Sequence, residues 1–254
     1  MNQREYGRRG RIGLVTPQAN PTAEPEISLL LPDGVSLLSA RCTSRGEPKQ
    51  RFLNYFRELD STLGRFDALR FDALGFACTA SSYLLKPGEE VTGCQQLTRQ
   101  FGYPVLTAAM AIEAALKHLG ATRIALACPY PQWLLERSAH WWRGRGFEVT
   151  QTFSAQADME DTRAIYELSV DPILKQLLET FPDSDADVIV ITGTGMPGLR
   201  LVRELSAATG RPVLNSNLCL AWQCLQAAGI EPGNRSPEPG YPLLGGWHNA
   251  LARL

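Results

Sequence analysis

What this chain of 254 residues lacks removes several classes of function. It has no surplus of charge: Lys plus Arg number 25 and Asp plus Glu 26, a formal net charge of −1. Nucleic-acid binders usually carry excess basic residues to neutralise phosphates, so no nucleic-acid partner is expected. Histidine is scarce, at His118, His140 and His248, and the six cysteines at 42, 78, 94, 128, 219 and 224 form no CxxC pair and no Cys/His cluster. A zinc site of ordinary ligand spacing cannot be built from such neighbours, and neither metal nor cofactor is expected. No apolar run approaches the ~20 residues that cross a bilayer. The basic start, MNQREYGRRGR, leads into no apolar core of the signal-peptide kind. No membrane partner is expected, and the cytoplasm is the expected location, where such cysteines are mostly small buried hydrophobes.

The composition that is present, 44% hydrophobic and 20% charged, is that of a globular protein. The length suits one large domain or two smaller ones. Short β-branched or apolar runs read as buried strands: RIGLVTP (11–17), VSLLSARCT (35–43), DALGFACT (72–79), PVLT (104–107), RIALACP (123–129), FEVTQTF (147–153), DVIVIT (187–192) and PVLNS (212–216). Helical stretches lie between them. Phe52, Tyr55, Phe56, Leu59 and Leu63 share one helical face, and further helices are predicted over Thr107–Leu119, Pro131–Arg143, Thr162–Thr180, Gly198–Ala208 and Leu218–Ala228. Strands alternating with helices imply an α/β fold with parallel sheets covered on both faces. Eight strands are also the number of a closed (β/α)₈ barrel.

An internal repeat decides between these. RIGLVTP from Arg11 recurs as RIALACP from Arg123. DALGFACTASSYL and DVIVITGTGMPGL set Cys78 opposite Gly193, and FGYPVLT and TGRPVLN set Pro104 opposite Pro212. Three segments recurring in one order predict two four-stranded parallel-sheet α/β domains related by pseudo-twofold symmetry, with the active site in the cleft between them. The expected division is 1–107 plus a returning 216–254 for the first domain and 108–215 for the second. The first half is the longer, and the KPGEEVTGC segment reads as the loop that holds the extra residues.

In parallel α/β sheets, ligands bind beyond the carboxyl ends of the strands, where helix N-termini point N–H groups outward. Four turns stand at such places: TPQAN (16–20), ACTASS (77–82), CPY (128–130) and TGTGMPG (192–198). A thiol at Cys78 would face unpaired N–H groups that stabilise a thiolate and that can also hold a carboxylate or oxyanion. The alternative is a buried strand cysteine with no role. Gly193, Gly195 and Gly198 spell GxGxxG, yet Pro197 lies inside the motif and no acid ends the next strand, which is poor for a dinucleotide site. A tight turn or a carboxylate cradle mirroring the Cys78 turn are the other readings. Asn20 and Tyr130 supply an amide and a phenol suited to hydrogen-bonding a carboxylate, or to capping loops. Asp161 reads as a helix-start residue.

Together RIGLVTPQANPTAEPE, FACTASS, ACPY and the glycine turn resemble the aspartate/glutamate racemase superfamily, nearest its maleate cis–trans isomerase and arylmalonate decarboxylase branch. The resemblance implies a cofactor-independent site between two α/β domains, where racemases and isomerases place one cysteine on each face of the substrate. Cys78 matches the first; Gly193 stands at the second, the reverse of the decarboxylase arrangement. Carried over, the backbone of Thr79, Ala80, Thr194 and Gly195 with the Tyr130 hydroxyl would hold a carboxylate, and Asn20 would contact substrate. Asp161-Thr162 stands where the isomerase has an Asp-Asn pair. One thiol suffices to add to an activated double bond or to protonate the carbanion left by CO₂ loss, whereas two-base racemisation needs a group on each face. The implied function is an isomerase or decarboxylase acting on a small carboxylic or dicarboxylic acid through Cys78. An Asp/Glu/hydantoin-type racemase and a non-catalytic carboxylate-binding protein are the alternatives. Expected partners are the small carboxylate and, as an open option, a second copy of the chain. Replacing Gly193 by cysteine is expected to restore a second thiol, the turn having room for it.

Overall fold

The computed structural model describes residues 4–156, 161–181 and 184–231. Its eight strands form two four-stranded parallel sheets. The first has the order β2-β1-β3-β4, from β1 (Gly10–Pro17), β2 (Val35–Cys42), β3 (Ala73–Phe76) and β4 (Val105–Thr107). The second has the equivalent order β6-β5-β7-β8, from β5 (Arg123–Cys128), β6 (Glu148–Ser154), β7 (Val188–Ile191) and β8 (Val213–Asn215). A closed barrel is excluded. The centre of each sheet is built from the recurring segments. Residues of β3 and β7 such as Leu74, Phe76, Ile189 and Val190 are fully buried, which is why these strands are continuous apolar runs.

Repeated residues do repeated local work. Asp72 and Asp187, each just before a central strand, accept the backbone N–H of Arg11 (2.8 Å) and of Arg123 (2.9 Å), tying the starts of neighbouring strands together. Thr107 and Asn215 end β4 and β8 and cap the helices that follow, accepting from the N–H of Met110 and Leu218. Those helices are α6 (Ala108–His118) and α10 (Ser216–Ala227), which pack on each other. Although α10 follows β8, it lies over β3 and β4 of the first sheet, with Leu220 filling the space above Gly75. The rest of the tail, 232–254, lies outside the described residues.

Between these elements run α1 (Ala23–Leu30), α2 (Pro48–Arg57), α3 (Leu59–Leu63), α4 (Thr79–Ser82), α5 (Glu89–Phe101), α7 (Gln132–Gly144), α8 (Val170–Thr180) and α9 (Leu199–Thr209). Several differences from the periodicity reading bear on the site. The helix expected over 52–63 breaks at Glu58 into α2 and α3. The helix expected over Thr162–Thr180 is a 3₁₀ turn, Thr162–Glu167, followed by extended Leu168 and then α8. Three helices, α1, the one-turn α4 and α5, fall where none was predicted. The extra length of the first half lies in α4, the link to Glu89 and a longer α5; of KPGEEVTGC only the first three residues are loop, because the chain turns helical at Glu89.

Candidate active site

Cys78 and Gly193 occupy the same place in the two sheets, each two residues past the end of its central strand. Cys78 is extended and precedes α4, whose first N–H groups have no carbonyl a turn earlier to bond. Those of Ala80 and Ser81 turn towards the sulfur, and the Ser81 hydroxyl lies 3.1 Å from it. No acceptor within the described residues takes the N–H of Thr79, Thr194 or Gly195. The chain therefore presents the open backbone donors that a carboxylate cradle requires.

The two turns are bound across the cleft by their paired threonines. Gly193 N–H donates to Thr79 Oγ1 (3.2 Å), and Thr194 Oγ1 donates to the carbonyl of Ala77 (2.7 Å). Tyr130 hydroxyl and Thr79 Oγ1 are 2.5 Å apart. Asn20 spends both ends of its amide: the oxygen accepts from the N–H of Thr22 and Ala23, and the nitrogen donates to Thr194 Oγ1 at 3.2 Å. Thr22 Oγ1 adds a bond to Gly195 carbonyl at 2.8 Å. Asn20 is thus a loop cap that also bonds Thr194 of the other turn. Asp161 caps the 3₁₀ turn through the N–H of Arg163.

Asn20, Cys78, Thr79, Ala80, Tyr130, Gly193, Thr194 and Gly195 all line one cavity. Its remaining wall is Pro17, Phe52, Thr162, Ile165 and Tyr166. The cavity volume is about 20 Å³, space for little more than a water. Phe52, Ile165 and Tyr166 were not singled out from sequence. Phe52 lies on a helix face legible as core, and Ile165 and Tyr166 sit in a stretch whose periodicity reads as ordinary helix. The glycine turn at 193–198 faces this cavity. Among the described residues no group of three His, Cys, Asp or Glu side chains could hold a metal ion, and no helix is long and apolar enough to cross a membrane.

Two expectations need correction. The first is the thiolate at Cys78. Burial is the dominant influence and pushes the thiol up; Ser81 hydroxyl, the N–H groups of Ser81 and Ala80, and the Arg51 guanidinium oppose it without cancelling it. Burial therefore works against the thiolate at Cys78. The second is the room at Gly193. Its φ is +94°, a conformation that side-chain-bearing residues rarely adopt, and a Cβ there would lie 2.6 Å from Cγ and 2.7 Å from Cδ of Pro129. The proline ring cannot swing away, so a second thiol does not fit as the chain stands.

The arylmalonate decarboxylase family model matches residues 61–238. The maleate isomerase of Pseudomonas putida is 28% identical over 236 residues, covering 87% of this chain and 93% of that protein. The crystal structure of the maleate isomerase Iso from Pseudomonas putida S16 superposes with a TM-score of 0.82 at 25% identity, over 93% of this chain and 98% of that one. A Nocardia farcinica maleate cis–trans isomerase, in a mutant with one cysteine changed to serine and a covalently bound succinylcysteine intermediate, superposes with a TM-score of 0.75 at 22% identity, over 87% and 93% of the two chains.

Proposed function

The chain belongs to the arylmalonate decarboxylase family and is an enzyme of the isomerase and decarboxylase group, and from that premise we propose that it isomerises a small unsaturated dicarboxylic acid through Cys78 alone. The observation that carries this reading is one sulfur in the wall of a cavity where it meets open N–H groups and hydroxyls, with a glycine at the equivalent place in the second sheet. A carboxylate in the cradle formed by Thr79, Ala80, Thr194, Gly195 and Tyr130 would align its neighbouring double bond with the sulfur. Once the S–H proton has passed to solvent, thiolate addition forms the S–C bond and moves the double-bond electron pair onto the other carbon. There it is delocalised into the cradled carboxylate as an enediolate, which the N–H groups stabilise. The former double bond is now single and rotates. Expulsion of the thiolate restores the double bond in the other geometry, and no second acid or base is consumed. The succinylcysteine in the Nocardia neighbour, in a variant lacking one cysteine, supports a thiol adduct in this fold.

Decarboxylation is the second reading, favoured by the burial that pushes the Cys78 thiol up and so keeps a proton on a sulfur in the cavity wall. Loss of CO₂ from a malonate leaves the same enediolate, and the S–H proton moves to carbon, to be replaced from solvent. We take 1–107 with the returning chain from 216 and 108–215 as the two domains that flank the site, and the packing of α10 on the first sheet supports that division. Proton NMR in D₂O of maleate and of an arylmalonate, each with enzyme, separates the reactions. We expect the fumarate signal to grow without deuterium entering carbon. CO₂ loss with deuterium at the α-carbon would instead select the second reading, and no change in either acid would refute both.

A further inference from the structure

Arg51 borders this site and takes no part in the chemistry above. It lies on α2 beside the cavity-lining Phe52, and only 6% of its surface is exposed. A buried guanidinium ordinarily sits against a carboxylate, because desolvating an unpaired charge is costly. Among the described residues no carboxylate lies within ion-pair distance of it. Its hydrogen bonds go to the Gly46 carbonyl at 3.3 Å and to Thr162 Oγ1 at 2.5 Å. Asp161, the acid next in sequence to Thr162, is half-exposed and holds Arg163 at 2.8 Å.

Thr162 carries this charge into the cavity. Its side chain is buried, lines the cavity wall, and accepts from Arg51, while its own O–H proton has no acceptor among the described residues. A hydroxyl that accepts from a cation is polarised into a better donor. The hydroxyl is therefore poised to donate to an anion inside the cavity, with a fixed positive charge directly behind it. The phenols of Tyr55 and Tyr166 lie within the field of both Arg51 and Cys78, which puts all of these groups in one corner.

We propose that Arg51, acting through Thr162, reads a second carboxylate at the end of the substrate away from the cradle. The inference rests on the reading of Cys78 and its cradle given above, and it adds the residues that select a dianion over a monocarboxylate. It also bears on the reaction. Loss of CO₂ drains negative charge from the departing carboxylate, so a cation fixed on that group stabilises the ground state more than the transition state. Thiolate addition at the double bond leaves the distal charge in place, and the cation does not oppose it.

The test is isothermal titration of succinate, a saturated dicarboxylate that cannot accept a thiol, against its monoamide. Wild type should bind succinate about 10- to 100-fold more tightly than the monoamide, as expected for a hydrogen bond to a charged group. Arg51→Met should abolish that preference while monoamide binding stays within its wild-type range. Arg51→Lys should keep part of the preference, and Cys78→Ser should keep all of it. Should Arg51→Met fail to fold, Thr162→Val removes the relay hydroxyl and is expected to reduce the preference as well. A preference that survives Arg51→Met, or an equal weakening of both ligands, would overturn the inference and leave the cradle reading standing. Binding of neither ligand to any of the proteins would overturn the cradle reading itself.

Discussion

The Ser81 hydroxyl lies 3.1 Å from the sulfur of Cys78 and 2.7 Å from the carbonyl of Phe52. A hydroxyl has one proton to give. While the thiol is neutral, Ser81 gives that proton to Phe52 and its oxygen accepts S–H; once the thiolate forms, the proton turns to sulfur. Ser81 thus lowers the cost of a charge that burial disfavours. Ser81→Ala is expected to push the Cys78 thiol further up and to slow its alkylation about tenfold at a fixed pH near 8. The rate of iodoacetamide labelling against pH measures this, and an unchanged rate would remove Ser81 from thiolate stabilisation.

All six cysteines are buried, so labelling should be slow and selective. Burial pushes every one of them up, Cys94, Cys128 and Cys224 to about 12. Cys78 alone of the six combines a place on the cavity wall with several donors to its sulfur. It is expected to label first, and succinate should protect it. Labelling of Cys94 or Cys128 at the same rate would contradict the assignment.

Gly193→Cys combines a positive φ with overlap on the Pro129 ring. The two effects together predict a loss of about 2–5 kcal/mol. The single variant should show a lower Tm and no proton exchange at a substrate α-carbon. Pro129→Ala removes the overlapping ring atoms, so the double variant should recover part of the Tm. Differential scanning calorimetry of the three variants decides this; full stability in the single variant would show that the turn yields.

All eight strands are legible because each is a short β-branched or apolar run between turn residues, and the repeat exposes the equivalence of Cys78 with Gly193 in the sequence itself. The four strand-end turns are legible for the same reason. What periodicity hides is the break before α8. Thr162–Thr180 scans as one amphipathic helix, yet Pro172 fits only in a helix's first turn, and the chain accordingly starts α8 at Val170. That break frees Thr162, Ile165 and Tyr166 to form a cavity wall. Proline was the available signal. Arg51 carried none, since a charged residue next to a buried Phe52 on an otherwise polar helix reads as solvated surface.

Glu26 of α1 reaches across to the start of α9, accepting from the N–H of Gly198 (2.6 Å) and Leu199 (3.0 Å) and from Asn217 Nδ2 (2.7 Å). Burial pushes its carboxyl up despite these bonds. A raised folded-state pKa means stability present below the ordinary carboxylate value and lost as pH rises through the raised one. Relative to Glu26→Gln, wild type should therefore be more stable at pH 5 than at pH 8. Comparing the Tm difference at the two pH values isolates this carboxyl; a constant difference would contradict it. Glu26→Ala, which leaves both N–H groups unpaired, should cost about 1–3 kcal/mol at either pH.

The most direct test of the account is the steady-state isomerisation of maleate by wild type and by six single Cys→Ser variants. Cys78→Ser is expected to lower kcat/KM by roughly three orders of magnitude or more, while serine at 42, 94, 128, 219 or 224 leaves it within about tenfold once folding is matched by Tm. A Cys78→Ser enzyme that turns over maleate at a rate near wild type would contradict the account at its centre.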